Sequence, residues 1–356
     1  MTNRSTLLVG SMPFEDEEQC MRRALATLGP QLFSLPDGEI GEKSAQFPRG
    51  NRIAWIMSAI EMLTADRDNW TVVREAVRGS DGMPIGYEHL QQLKPRRSPG
   101  ELPQHVQLGY DRFFERSYPL FKELRREYGQ AHLKFQLGIP TGLAMGFAFA
   151  SKLDWLRYTG AFNTVLAREV NQALAQAGDD LIVQLELPPE VYAAHLLPKP
   201  LHRLVLRSAL DLVRKITPGA QIGLHLCLGD LRNEAVVHPK TLDTLVAFSN
   251  RLVAAWPATH RLLYVHYPFA EGAVPPRLEA DYYRPLRAIR LPTGTRFIAG
   301  FVHEQLSLDD NTRVLAAIEQ ARGQTVDVAA ACGLGRRTPE QAEQVLDLTW
   351  KLTMLA

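Results

Sequence analysis

Eight short β-branched or apolar runs recur along this chain, most of them closed by Gly, Pro or a polar residue and followed by a helical stretch. They occupy residues 6–11, 31–37, 133–138, 181–187, 221–228, 261–267, 296–303 and 325–331. Between them, apolar residues at i, i+3, i+4 and i+7 predict helices over 15–28, 110–128, 153–177, 201–216, 239–255, 307–321 and 339–355. Strand alternating with helix implies a parallel sheet covered by helices. Eight such units in 356 residues favour a closed (β/α)8 TIM barrel spanning 1–356 as one α/β domain over an open doubly wound sheet.

Composition narrows what such a chain can do. Forty Lys and Arg against 39 Asp and Glu leave a net charge of +1, so nothing draws the chain electrostatically to nucleic acid or to a membrane surface. The apolar run at the N-terminus is far shorter than a signal-peptide core, and no stretch approaches eighteen uninterrupted apolar residues, so a cytoplasmic protein is expected. Three cysteines, Cys20, Cys227 and Cys332, are too few and odd in number for a disulfide framework. No G-x-G-x-x-G follows a candidate strand and no G-x-x-x-x-G-K-[ST] occurs, which removes the main support for a nucleotide-binding fold.

The alternation breaks once. Roughly ninety-five residues separate the second and third strands, where about thirty are usual. This insertion, 40–110, holds an apolar helical piece over 53–63 and a polar, proline-rich run at 94–100. Following a strand, it belongs at the C-terminal mouth, as a lid or substrate-binding excursion or as a surface decoration. At the other end, Thr338, Pro339 and Gln341 form an N-cap, a first-turn proline and a capping-box partner, which makes 332–337 the loop after strand eight.

The fifth strand is the most informative. Leu224, Leu226 and Leu228 share one face, and His225 and Cys227 share the other, directed into the barrel near its mouth. Gln136, Gln184, Glu186, Tyr264 and His266 alternate in the same way on their own strands. Polar groups so placed would cost about 1–3 kcal/mol each if unpartnered, so they serve a ligand, a metal or one another. His225, Cys227 and Cys332 make an N,S,S set suited to Zn²⁺, with His266 as the preferred fourth ligand and Glu271 behind it.

These residues carry a resemblance. Val9-Gly10-Ser11-Met12-Pro13, Gln184-Leu185-Glu186-Leu187-Pro188, His225-Leu226-Cys227 and Cys332-Gly333-Leu334-Gly335-Arg336-Arg337 are similar to motifs of the superfamily of cobalamin-independent methionine synthase and uroporphyrinogen decarboxylase, above all the synthase's zinc-bearing C-terminal domain. The likeness implies a barrel of that kind, Zn²⁺ bound by His225, Cys227 and Cys332, and a small-molecule thiol alkylated by a donor such as a folate. The family's glutamate at the end of strand six is absent, and His266 stands near its place; His303-Glu304-Gln305-Leu306 replaces the family's D-x-H-S.

The leading expectation is zinc-dependent transfer of a methyl or other alkyl group to a thiol. In that scheme Glu186 binds a substrate ammonium, and Asp37 and Glu39 contact substrate or act as acid or base, as His303 could from its strand end. Arg49, Arg336 and Arg337 are candidates for a substrate carboxylate, with Ser11 and Gln184 also on the substrate side. A metal-free decarboxylase or lyase of the uroporphyrinogen decarboxylase type, and a non-catalytic small-molecule-binding barrel, remain open alternatives. Oligomeric state is not readable from the chain.

Overall fold

The eight anticipated runs become the staves of one sheet because their apolar alternation buries both faces. The computed structural model describes residues 4–53 and 56–355. In chain order the elements are β1 (Thr6–Leu7), α1 (Glu17–Leu28), β2 (Ser34–Pro36), α2 (Met57–Ala65), β3 (Trp70–Arg74), β4 (Gln92–Pro95), α3 (Tyr110–Glu127), β5 (Lys134–Pro140), α4 (Lys152–Ala177) and β6 (Leu181–Glu186). There follow α5 (Pro188–Leu196), α6 (His202–Lys215), β7 (Gln221–His225), α7 (Asp243–Ala254), β8 (Arg261–Pro268), α8 (Ala280–Tyr283), β9 (Arg296–Val302), α9 (Leu308–Arg322), β10 (Asp327–Ala330) and α10 (Pro339–Thr353).

The eight-stranded sheet runs β1-β10-β9-β8-β7-β6-β5-β2, every neighbouring pair parallel. A parallel bridge between Thr6 and Leu32 joins its two edges, so the fold is a (β/α)8 TIM barrel. The insertion contributes α2 and the antiparallel pair β3–β4, two strands that its mixed composition concealed. Among the described residues no helix is long and apolar enough to cross a membrane.

Two kinds of packing hold the barrel. Outside, helices press apolar stripes onto the strands; Phe135 of β5 is fully buried, with ring centroids 5.4 Å from Phe121 and 5.8 Å from Phe114 and Tyr118. Inside, the polar residues satisfy one another. Gln136 donates to the carbonyls of Leu8 and Val9 and accepts from Ser34, while Gln184 donates to Val9 O at 2.6 Å and accepts from Tyr264 Oη at 2.9 Å. The loop after β10 ends where the capping signal places it: Thr338 Oγ1 accepts from Gln341 N, and Gln341 returns the bond.

Truncating Phe135 to Ala removes the hub of the aromatic cluster and is expected to cost about 3–5 kcal/mol. Urea denaturation checks this, the midpoint falling with the slope unchanged.

Candidate metal centre and adjoining cavity

β7 ends at His225, and the pleat sets Cys227 two residues further on the same side. The turn after β10 brings Cys332 across from them. Cys227 Sγ and Cys332 Sγ are 3.7 Å apart, Cys332 Sγ is 3.7 Å from His225 Nε2, and all three donor atoms lie within 4.8 Å of one another. Two sulfurs on a tetrahedral zinc would stand about 3.8 Å apart, and a sulfur and a nitrogen about 3.6 Å, from the usual bond lengths. The residues fit the ion.

The surroundings fit as well. Gly229 N–H and Arg336 Nη2 each donate to one sulfur, to Cys227 and Cys332 respectively, both at 3.3 Å, as thiolates require. Without an ion, two thiols this close cannot both ionise: the hydrogen bond between them pulls the Cys227 pKa well down and pushes that of Cys332 well up.

His266 does not join the cluster. Its Nε2 lies 2.9 Å from Ala330 O and its Nδ1 lies 2.8 Å from His225 Nδ1. A carbonyl only accepts, so His266 carries its proton on Nε2 and accepts at Nδ1. His225 must then donate from Nδ1, which leaves its Nε2 lone pair facing the sulfurs. Burial, and then the neighbouring His225 ring, hold the His266 pKa well below the usual value, consistent with a neutral ring. Glycine at 300 makes room for it, since a Cβ there would lie 2.3 Å from His266 Nε2. The sequence pattern offered His266 as a fourth ligand; its hydrogen bond to Ala330 O on β10 instead makes it the group that orients the His225 ring. Glu271 pairs with His238 at 2.6 Å.

A mostly apolar cavity opens beside the two cysteines. Ser11, Glu39, Glu186 and Arg336 line it, and the insertion adds Ile56, Met57, Tyr87 and Leu90. Enclosure, with the charge of Asp37 added, pushes the Glu39 carboxyl up to about 7 against the opposing pull of Arg52 and Arg336. Burial and then the charge of Glu39 carry Glu186 well above the usual range.

The other anticipated residues stand elsewhere or are otherwise engaged. Arg336 uses all five N–H groups, on Asp230, Ser11 Oγ, Ile53 O and Cys332, and so has none left for a substrate carboxylate. Arg49 donates to the carbonyls of Gly335 and Arg337, and Arg337 pairs with Glu304 at 2.9 Å. His303 has Gly272 O at 3.1 Å from Nε2 and accepts the Gln305 amide at Nδ1, away from the cavity. Gln184 lies one layer below, where it donates to Glu186 at 3.2 Å. Asp37 is held by Arg52 at 2.8 Å, by Ser117 Oγ at 2.7 Å and by the Glu39 amide at 3.0 Å. Burial alone would raise its pKa, but these partners hold it below the ordinary range. Sequence reasoning assigned no role to Asp230, Arg52 or Tyr87; only the charge following Gly229 hinted at the first, as a counterion for an arginine.

No family model matches the chain, and no curated protein matches it. Among solved structures it is similar to a B12-independent methionine synthase from Shewanella sp. W3-18-1 in complex with selenomethionine, at TM-score 0.55 and 12% identity over 94% of this chain and 87% of that one. It is similar also to a methyltransferase from Methanosarcina mazei, at TM-score 0.52 and 12% identity over 99% of this chain and 94% of that one. The shared feature is the barrel fold.

Replacing His266 with Phe keeps the ring volume and removes both hydrogen bonds. Zinc affinity, measured by chelator competition, is expected to fall about 10–100-fold with the fold intact by circular dichroism. Asp37→Ala leaves buried Arg52 with only the longer contact to Glu17 at 3.9 Å, an expected loss of about 3 kcal/mol by thermal denaturation. Because the folded Asp37 pKa is depressed, its contribution is present above the unfolded value near about 3.9 and disappears as pH falls through the folded one, so the deficit of the variant is expected to shrink in acid.

Proposed function

We propose that this protein is a zinc-dependent enzyme that transfers a methyl or other alkyl group to a thiol substrate. The observation carrying this reading is the His225, Cys227 and Cys332 donor set, spaced for one tetrahedral ion and facing a cavity. Zn²⁺ bound there would keep a substrate sulfur deprotonated near neutral pH, where a free thiol is mostly protonated. The fold shared with a methionine synthase and a methyltransferase supports the same reaction class.

The chain's own groups supply position and exclusion. His266 fixes the tautomer of His225, and Arg336 and Gly229 hold the two sulfurs. Glu39 and Glu186 bind a positively charged substrate group, with Ser11 beside them. The insertion 40–110 acts as the lid, its Ile56, Met57 and Leu90 keeping water from the sulfur. Dependence on two reduced thiols suits the cytoplasm. A metal-free decarboxylase would need arginines available to an acidic substrate at the cavity, whereas Arg336, the one arginine lining it among the described residues, is fully engaged by the protein.

Metal analysis of the purified protein tests the reading. About one zinc per chain is expected, lost in Cys227→Ser and in Cys332→Ser, and X-ray absorption after adding a small thiol should report one further sulfur on the metal. Folded protein that neither retains nor takes up zinc would refute it.

A further inference from the structure

The cavity has a composition that a thiol acceptor alone does not explain. Its free surface is almost wholly carbon, yet two carboxyls are set into it. Glu39 and Glu186 face one gap: a Cβ at Gly138 would lie 2.9 Å from an oxygen of each, and one at Gly10 would lie 2.6 Å from Glu39. Glycine at both positions leaves them room. Glu39 reaches the gap through a left-handed backbone, φ 53°, a conformation that only a few per cent of non-glycine residues adopt.

Among the described residues neither carboxyl is directly ion-paired, although Arg52 and Arg336 pull the Glu39 pKa down and Arg336 that of Glu186. Arg52 is bound to Asp37, and Arg336 to Asp230. Glu186 is more than nine-tenths buried, one of its oxygens accepts from Gln184, and no described residue donates to the other. On the same wall are two aromatic rings, Tyr87 and Phe147, with centroids 6.3 Å apart and planes at 43°. Leu231 N–H holds the Tyr87 hydroxyl at 3.1 Å.

Carboxyls that a bound cation would draw into the ionised form, aromatic faces and carbon walls together suit a diffuse cation. The carboxyls would accept from a primary ammonium, but the flanking rings and carbon walls favour a cation whose charge is spread over apolar groups. A polyanionic donor would meet two carboxyls and no free cation. We propose that the alkyl donor is an onium compound, a sulfonium or a quaternary ammonium, seated between the Glu39 and Glu186 carboxyls and the Tyr87 and Phe147 rings beside Cys227 and Cys332. This rests on the thiol-alkylation reading above.

The step balances without a further reactant. The acceptor sulfur, as thiolate, forms a bond to the methyl carbon while the bond from that carbon to S⁺ or N⁺ breaks. The electron pair stays on the departing atom, which leaves as a neutral thioether or tertiary amine, and the thiol proton goes to solvent. No proton has to reach the leaving group.

Calorimetry on the zinc-loaded protein, without any thiol, tests this with matched probes: choline, its dimethylsulfonium analogue, the neutral isostere 3,3-dimethylbutan-1-ol, and ethanolamine. At least one onium probe is expected to bind about tenfold or more tighter than the neutral isostere and than ethanolamine. The stronger of the two identifies the donor as sulfonium or ammonium. That advantage should disappear in Glu186→Gln and shrink several-fold in Tyr87→Leu; should either variant fail to fold, the probe series on the unaltered protein decides alone. Equal binding of the neutral isostere would mean an apolar cavity only, tighter binding of ethanolamine an ammonium site, and no binding an unsuited cavity. Each outcome overturns the proposal. Because no turnover is read and zinc content is measured separately, these failures leave the thiol-alkylation reading standing, whereas absence of zinc removes that reading itself.

Discussion

The hydrogen bond between His225 and His266 is the interaction on which the candidate centre depends. It links β7 to β8, and the second nitrogen of His266 carries the chain of contacts on to the carbonyl of Ala330 at the end of β10. Three staves of the barrel are thereby joined through two rings. Since the carbonyl can only accept, the proton position on each ring is determined in turn, and the nitrogen turned toward the two cysteines is left with a lone pair. Parallel register sets His225 opposite His266, and glycine at 300 lets the second ring approach β9. The barrel's interior is thus a layered set of polar side chains that leaves the His225 Nε2 lone pair facing the two sulfurs.

Much of this was legible along the chain, and the rest fails for a common reason. Alternation at 181–187 and 221–228 specified both strand positions and inward faces because a two-residue period is local. The capping box at Thr338 bounded the loop that carries Cys332 in the same way. What could not be read were partners supplied from far away in sequence. Nothing near His266 announces Ala330, sixty-four residues on, and nothing near Arg336 announces that Asp230, Ser11 and Ile53 will occupy its donors. The strands β3 and β4 were hidden because the pair lies largely at the surface, where apolar alternation is weak.

The cavity joins two environments that usually exclude each other. Carbon walls from the insertion make a region of low polarity, in which charge is costly to isolate. Glu39 and Glu186 stand in that region, where burial raises the proton affinity of both and the charge of Glu39 raises that of Glu186 further. Asp37, only two residues from Glu39, shows the contrast: with Arg52, Ser117 and an amide around it, the same kind of group stays ionised and anchors the turn. Two carboxyls on one short segment therefore do different work, one as structure and one as wall.

Arg336 ties together parts of the chain far apart in sequence. A single planar guanidinium touches the first strand's exit at Ser11, the insertion backbone at Ile53, the turn after β7 at Asp230 and the sulfur of Cys332. Lifting the inserted segment away from the barrel would strip a donor from that group and redistribute the remaining contacts, including the one on sulfur. Access to the cavity and the hydrogen bonding of the Cys332 sulfur are in this way mechanically geared to each other.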